Sequence, residues 1–443
     1  MAALYRSNQL TIALAFLLYC ASATAADLME IYARAGDSDP VYKQAVAAYH
    51  ATLEAKPQAR SRLLPLISLS ADTSSHHQDI STAFGISGET DFNSHGYSLD
   101  VSQPVFHYDR FLALKQADSQ ILQAQAEMDA AQQDLMVRVA DRYFNVLAAE
   151  DTLAFARSEK IALARQLEQT KERFDAGLTA ITDVQEAQAG YDRSAANEIL
   201  AANALDNSRE ALSEITGEYV TELSTLGESI QLVTPQPENV DDWTGTAQEQ
   251  NLRVVAAKHA LETAQQVIKI EQSGHLPTLD VVASRSFNAS GGRFGSTKLD
   301  DTAIGLELNV PLFQGGLVNS KTRQAHYNAD QAYEYLQQQY RAAQRQTREA
   351  FLGVISGISQ VQALKQAVVS SETALQATEA GFDAGTRTAV DVVAAERVTL
   401  QAKRDYARAR YDYLMNTLRL KQAAGTLSPD DLVRINAWLG ISK

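Results

Sequence analysis

Three groups of residues in this sequence could do chemistry. His76, His77 and His95 are imidazoles of the kind that ligate metal. The run Gly291-Gly292-Arg293-Phe294-Gly295 has the glycines of a phosphate cradle. Two near-copies of one stretch, RFDAGLTAITDV at 173–184 and GFDAGTRTAVDV at 381–392, carry matched polar and charged positions. The first two groups fail on context. The histidines flank a long exposed loop expected at 74–94, and no carboxylate–His spacing accompanies them, so they read as solvated loop residues. The glycines fall between strands rather than before a helix, where backbone N–H groups would meet a phosphate. HExxH, GxSxG and GxxxxGK[ST] do not occur. No enzyme is expected, and no catalytic residue, metal or cofactor is assigned.

The third group is a repeat. Phe174 matches Phe382, Gly177 matches Gly385 and Asp183 matches Asp391. Each copy predicts a helix to the Phe, an Asp-Ala-Gly reversal and a new helix opened near Thr or Asp. Glycine supplies the positive φ with which a chain leaves a helix. Two such turns, equally placed in two halves, predict two hairpin tips side by side.

Long helices must hold those turns. Prolines occupy 40, 57, 65, 104, 235, 237, 277, 311 and 429, and none lies in 105–234 or 312–428. Proline breaks helix interiors, so both gaps admit very long helices. Expected are helices at about 108–174 and 181–215 in a first repeat (26–216), and at about 316–382 and 389–423 in a second (246–425). A helix of the longer kind reaches about 100 Å at ~1.5 Å per residue. Ile121, Ala124, Met128, Ala131 and Leu135 form one coiled-coil seam. Ala343, Thr347, Ala350, Val354, Gly357, Val361, Leu364 and Val368 form another.

Alternation marks strands in both repeats, at about 64–74 and 95–104, then at 277–286 and 301–311. Ile304, Leu306, Leu308 and Val310 alternate with Gly305, Glu307 and Asn309. Each strand is about ten residues, enough to cross a bilayer when tilted. A short helix is expected from Asp27 to Arg34. Another should run from Asp39-Pro40 to about Arg62, kinked at Pro57. Segment 217–245, with Pro235, Pro237 and a short strand at Ser229–Val233, reads as a linker. Asn251 should cap the helix that follows. Ser428-Pro429 should open a last helix within a C-terminal segment, 426–443. Stacked end to end, the shorter helices match each long one. That predicts a rod with the strand hairpin at one end and the Asp-Ala-Gly turn at the other.

The chain has 443 residues, a net charge of −15 and one cysteine. Nothing in it suggests nucleic acid, whose binders need a basic face. Residues 1–25 read as a secretory signal, with Arg6, the apolar run Ile12–Leu18 and Ala23-Thr24-Ala25 as cleavage site. Cys20 lies there, and Tyr19 spoils a lipoprotein motif. The mature chain is then cysteine-free. No later stretch has the roughly 20 apolar residues of a membrane helix. Four strands cannot close a barrel, and open edges in lipid would cost several kcal/mol per unpaired group. Membrane-spanning strands therefore require oligomerisation. Phe106, Tyr108 and Phe313, just past strand ends, suit an interfacial belt.

The segments GHLPTLD (274–280), VPLFQGG (310–316), KQAVVS (365–370), AGTRTAVDV (384–392), AITDVQ (180–185) and AAGTLSPDDL (423–432) together make the chain resemble the TolC family of outer-membrane efflux ducts, over nearly all its length. The resemblance implies a mainly α protein with a membrane β-barrel. Its long antiparallel coiled-coil helices would build a periplasmic α-barrel. Each repeat would give two strands to a twelve-stranded barrel closed by a homotrimer in the outer membrane of a Gram-negative bacterium. It implies a periplasmic adaptor and an inner-membrane RND (resistance–nodulation–division) or ABC transporter as partners, with outer-membrane lipid around the barrel. The activity implied is the exit duct of a tripartite efflux pump or a type I secretion system.

By the same resemblance Arg387 takes the place of a gate arginine, with Thr182 and Asp183 as its partners in the other turn. Asp391 takes the place of a ring aspartate at the pore constriction. Phe382 stands where the family has a gate tyrosine, and Ala394 where it has a second ring aspartate. Both changes imply easier opening and weaker cation block. Arg173, Phe174, Gly177, Leu178 and Gly385, at the apex of the turns, are candidates for adaptor docking. The other reading is a soluble periplasmic coiled-coil scaffold or adaptor. It accounts for helices and signal, and leaves the paired strands unexplained.

Overall fold

A computed structural model describes residues 25–81, 85, 87–227, 230–292 and 295–440. The expected signal, Arg293 and Phe294 lie outside the described residues, Ala25 apart. The chain comprises two compact units. In order, its elements are α1 Leu28–Ser38, α2 Pro40–Leu53, α3 Ala55–Ser61, β1 Leu66–Ser81, β2 Ser87–Phe106, α4 Tyr108–Asp175, α5 Ile181–Thr216 and β3 Thr225–Leu226. There follow α6 Val240–Gln250, α7 Leu252–Ser273, β4 Thr278–Ser290, β5 Thr297–Asn309, α8 Leu317–Asp383, α9 Ala389–Ala424, α10 Pro429–Asn436 and β6 Leu439–Gly440. The four long helices begin and end within a residue or so of expectation.

One unit comprises Val46–Met128 and Arg253–Tyr340. Its antiparallel sheet has the order β1-β2-β4-β5, so β1 and β5 are edges. The register sorts side chains by chemistry. Ile67, Leu69 and Ala71 of β1 lie opposite Val101, Leu99 and Tyr97 of β2. Leu279, Val281 and Ala283 of β4 lie opposite Leu308, Leu306 and Ile304 of β5, and Val101 lies opposite Ala283. Over the band from Leu279 to Ala283 one face is therefore apolar across all four strands, and beyond it the same face carries the Arg285–Asp300 pair, 3.4 Å apart. Ile304 is 80% exposed and Leu306 74%. The other face carries Ser68, Ser70 and Asp72, Asp100 and Ser98, Ser284 and Ser286, Asp301 and Glu307. Pro104 cannot donate to the ladder, and the β2–β4 register slips there, between Pro104 and Phe106.

The strands are longer than expected, and the loop expected at 74–94 is mostly sheet. β1 runs to Ser81 and β2 starts at Ser87. Their outer ends are rich in Ser, His, Asp and Gly, so hydrophobic alternation stops before the ladder does. His76, His77 and His95 stand on strands. His77 Nδ1 lies 2.6 Å from Asp91 Oδ1, a cross-strand pair that sequence spacing does not reveal. Among the described residues no His/Asp/Glu group is arranged to hold a metal. Pro57 interrupts its helix as expected, one turn upstream of the ring itself. The break comes at Glu54, because the proline ring would clash with the carbonyl four residues back, at Leu53.

The other unit comprises Asp129–Leu252 and the described parts of Met1–Ala45 and Arg341–Lys443. Its core joins Leu28 and Ile31 of α1, Leu135, Val139, Tyr143, Phe144 and Leu147 of α4, and Leu205 and Leu212 of α5. Val354 and Val361 of α8, Leu414 and Leu418 of α9, and Leu432 and Ile435 of α10 complete it. Each fully buried aliphatic contributes roughly 1.5–3 kcal/mol. The second seam is confirmed at Ala343, Thr347, Val354, Gly357 and Val361, all buried. A Cβ on Gly357 would lie 3.6 Å from Tyr413 Cα, so the absent side chain lets two helices approach closely. Of the first seam only Leu135 is fully buried.

Asp39 caps α2 as expected, accepting from the N–H groups of Val41 and Tyr42, and pairs with Arg138 at 2.7 Å. Segment 217–245 is not all linker, since α6 begins at Val240. Of the strand expected at Ser229–Val233, Ser229 lies outside the described residues, and the short strand nearby is β3, Thr225–Leu226, paired with β6. Residues 230–233 have no ladder partner.

Candidate functional site

The twin turns share one backbone solution. In the first, Gly177 N–H donates to Phe174 O at 2.8 Å and Leu178 N–H to Arg173 O at 2.8 Å. In the second, Gly385 N–H donates to Phe382 O at 2.9 Å and Thr386 N–H to Gly381 O at 2.8 Å. Gly177 and Gly385 have φ of +71° and +72°, the left-handed conformation this helix ending needs. The apexes are apolar. Phe174 is 38% exposed, Phe382 39% and Leu178 70%.

The side chains diverge. In the second turn Thr388 and Asp391 form a complete capping box: Thr388 N–H donates to Asp391 Oδ2 at 2.9 Å, and Asp391 N–H to Thr388 Oγ1 at 3.2 Å. In the first turn the equivalent position is Ala180, which has no side-chain acceptor. Asp183 still receives the Ala180 N–H, at 3.4 Å, and also takes the hydroxyls of Thr179 and Thr182. Both carboxyls are held below the usual carboxylate range. For Asp183 the Thr179 hydroxyl is the main cause, and Arg173 a lesser one. For Asp391 it is the Thr388 N–H and hydroxyl, with the charge of Arg387 adding to them. Both sites therefore stay anionic at any ordinary pH.

Arg387 folds back over the preceding helix end. A Cβ on Gly381 would come within 2.8 Å of Arg387 Cγ. The first repeat has Arg173 at the position of Gly381, so the two copies exchange an arginine for the space that a different arginine occupies. Gly381 and Thr388 are site residues that the sequence reading passed over. The signal for Gly381 was its mismatch with Arg173 in otherwise aligned repeats. Within one chain Arg387 bonds neither Thr182 nor Asp183, among the described residues.

Behind the tips, polar contacts join α4 to α9: Asp141 to Arg419 at 3.2 Å, Asn145 to Arg408 at 3.1 Å, and Glu159 to Arg397 at 3.7 Å. Glu396 faces Arg165, though burial outweighs that charge and raises its carboxyl above the usual range.

No helix among the described residues is long and apolar enough to cross a membrane, which says nothing of strands. The chain is 39% identical to outer membrane protein TolC of Vibrio cholerae, over 95% of each sequence. It is 28% identical to alkaline protease secretion protein AprF of Pseudomonas aeruginosa, over 95% of this chain and 89% of that one. Its fold matches the crystal structure of the Campylobacter jejuni CmeC outer membrane channel with a TM-score of 0.80, at 17% identity, over 93% and 90% of the two chains. The outer membrane efflux protein model matches residues 31–218 and 243–426, one segment in each repeat. This two-repeat chain, with its twin helical turns and two-faced sheet, belongs to the outer membrane efflux protein family.

Proposed function

We propose that three copies join their sheets edge to edge into a twelve-stranded barrel in the outer membrane, and that the helices continue it as a periplasmic duct. The protein is the exit channel of a tripartite efflux pump or type I secretion system. A periplasmic adaptor and an inner-membrane RND or ABC transporter open it at its tip. It does no chemistry of its own, in keeping with its family.

One observation carries this reading: a four-stranded sheet with one apolar and one polar face and two free edges. Such a sheet suits lipid on one side and water on the other. Its edges suit pairing with further copies, because unpaired backbone in lipid is costly. A soluble scaffold gives no reason for exposed Ile304, Leu306 and Leu308 in one row.

At the tip, Arg387 links to Thr182 and Asp183 of a first-repeat turn in the closed trimer, and three Asp391 carboxylates ring the aperture. Exposed pairs of this kind are worth about 0–1 kcal/mol each, which holds a gate shut yet leaves it openable. Phe382 brings no hydroxyl to that closure. Arg173, Phe174, Gly177, Leu178 and Gly385 form the docking apex for the adaptor.

The test is direct. Envelope membranes are washed with alkaline carbonate, and the purified protein is then added to planar bilayers. The channel reading expects retention in the membrane and stable conductance steps from a trimer. Release into the wash, or a monomer without conductance, would refute it.

A further inference from the structure

A cleft of about 560 Å³ opens among the 231–236 segment, α9 and α10, in the unit containing Asp129–Leu252. That volume lies within the range of small-ligand sites. Its floor is Val354, Leu414, Leu418 and Ile435, all buried. Its walls include Trp243 and Trp438, the only two tryptophans in the sequence. The shape is held from two sides. Val233 N–H donates to the Tyr413 hydroxyl at 2.8 Å, which donates back to Val233 O at 3.1 Å. Trp243 Nε1–H donates to Pro237 O at 2.8 Å, fixing that ring.

The charges around the cleft are unequal. Lys421 is matched by Asp431, which also accepts the Ser428 N–H at 3.1 Å to cap α10. Arg434, on the same short helix, is exposed and has no hydrogen-bond or ion-pair partner among the described residues. The lining thus offers a preformed apolar slot flanked by two indoles, with one uncommitted guanidinium beside it. A cation would be repelled there. A wholly apolar solute would leave the guanidinium unused, and a guanidinium matches carboxylate or sulfonate geometry.

We propose that this cleft binds an amphipathic organic anion, its apolar body between Trp243 and Trp438 and its single acidic group on Arg434. The site goes beyond the channel reading and stands or falls separately from it.

The two tryptophans provide the assay. The full-length protein is titrated with anilinonaphthalene sulfonate, an apolar anionic fluorophore, and energy transfer from tryptophan is followed. The expected result is saturable transfer. Arg434→Glu should weaken binding about tenfold or more, the scale of one charge-assisted hydrogen bond. Arg434→Lys should recover most of it, and uncharged anilinonaphthalene should bind about as weakly as the probe does to the Glu variant. Absent transfer, or transfer that never saturates, would overturn the proposal. So would equal affinity in the parent and Arg434→Glu, which would mean simple partition into an apolar surface or detergent.

Discussion

The Tyr411 hydroxyl donates to Asp151 Oδ2 at 2.8 Å, tying the interior of α9 to α4. Burial raises the carboxyl of Asp151 above its usual range, against the pull of that bond and of Arg410. Burial and the neighbouring carboxylate also push the Tyr411 hydroxyl far up, so it stays a donor. Tyr411→Phe should lower stability by about 1–3 kcal/mol, the cost of leaving a buried carboxylate without its donor. The sign with pH follows from the raised carboxyl. The native state holds that proton at a pH where the unfolded chain has lost it, so Asp151 favours folding as pH falls through the window just above the usual carboxylate range. The contribution disappears as pH rises. Asp151→Asn should flatten this slope and still accept from Tyr411. Melting temperatures of the three proteins across that window decide the matter, and an unaltered melting temperature in Tyr411→Phe would discard the link.

Two glycines with nearly the same backbone should respond differently to alanine. Gly385 has φ +72° and open space around it, so Gly385→Ala should cost only the left-handed penalty, about 1–2 kcal/mol. Gly425 has φ +79°, and a Cβ there would stand 2.1 Å from Gln250 O. The obstacle is backbone and cannot swing aside. Gly425→Ala should therefore lose folded protein outright, whereas Gly385→Ala accumulates normally. Comparing yields and melting temperatures checks this, and similar behaviour of the two would contradict it.

His107, at the start of α4, sits with Nε2 2.9 Å from Asp280 Oδ2 and Nδ1 3.8 Å from Asp109 Oδ1. It joins the first repeat to β4 of the second. His107→Gln can still donate to Asp280 and should stay near parental stability. His107→Leu leaves the largely buried Asp280 carboxylate unmatched and should cost about 1–3 kcal/mol. Heat-modifiability on gels would report it, and a Leu variant as heat-resistant as the Gln variant would rule the bond out as a stabiliser.

These relationships were unequally legible. The long helices could be placed almost to the residue because two signals coincide, proline-free gaps and an Asp-Ala-Gly ending that needs positive φ at Gly177 and Gly385. The hairpin beyond Ser74 could not, since Ser, His and Asp on a solvated ribbon show no alternation even though the ladder continues. α6 was hidden because Pro235 and Pro237 mark a linker without saying where it ends. At the tip, sequence matching picked out Asp183, Arg387 and Asp391. The alignment sets Ala180 against Thr388, but it did not show that Asp183 therefore turns to the Thr179 hydroxyl while Asp391 completes a capping box. Nor could it show that Arg387 needs the bare backbone of Gly381.

That inequality sharpens the test of the constriction. Asp391 has two roles, a cap partner for Thr388 and a proposed ring charge, so Asp391→Ala removes both at once. Asp391→Asn keeps an oxygen for the Thr388 N–H and removes only the charge. In planar bilayers the Asn variant should show reduced preference for cations, with the gap from the parent shrinking as salt rises, since exposed charges are screened within about 10 Å at ~0.1 M. The carboxyl adds a pH signature. Within one chain Thr388 holds the carboxyl low, whereas a closed ring adds two like charges that push it up, so parental cation preference should fade as pH falls through the carboxylate range while Asp391→Asn shows no such change. Both readouts follow the ring charge, because Asp391→Asn keeps the acceptor for the Thr388 N–H. Identical reversal potentials for parent and Asp391→Asn would leave Asp391 as a helix cap alone and move the constriction elsewhere along α9.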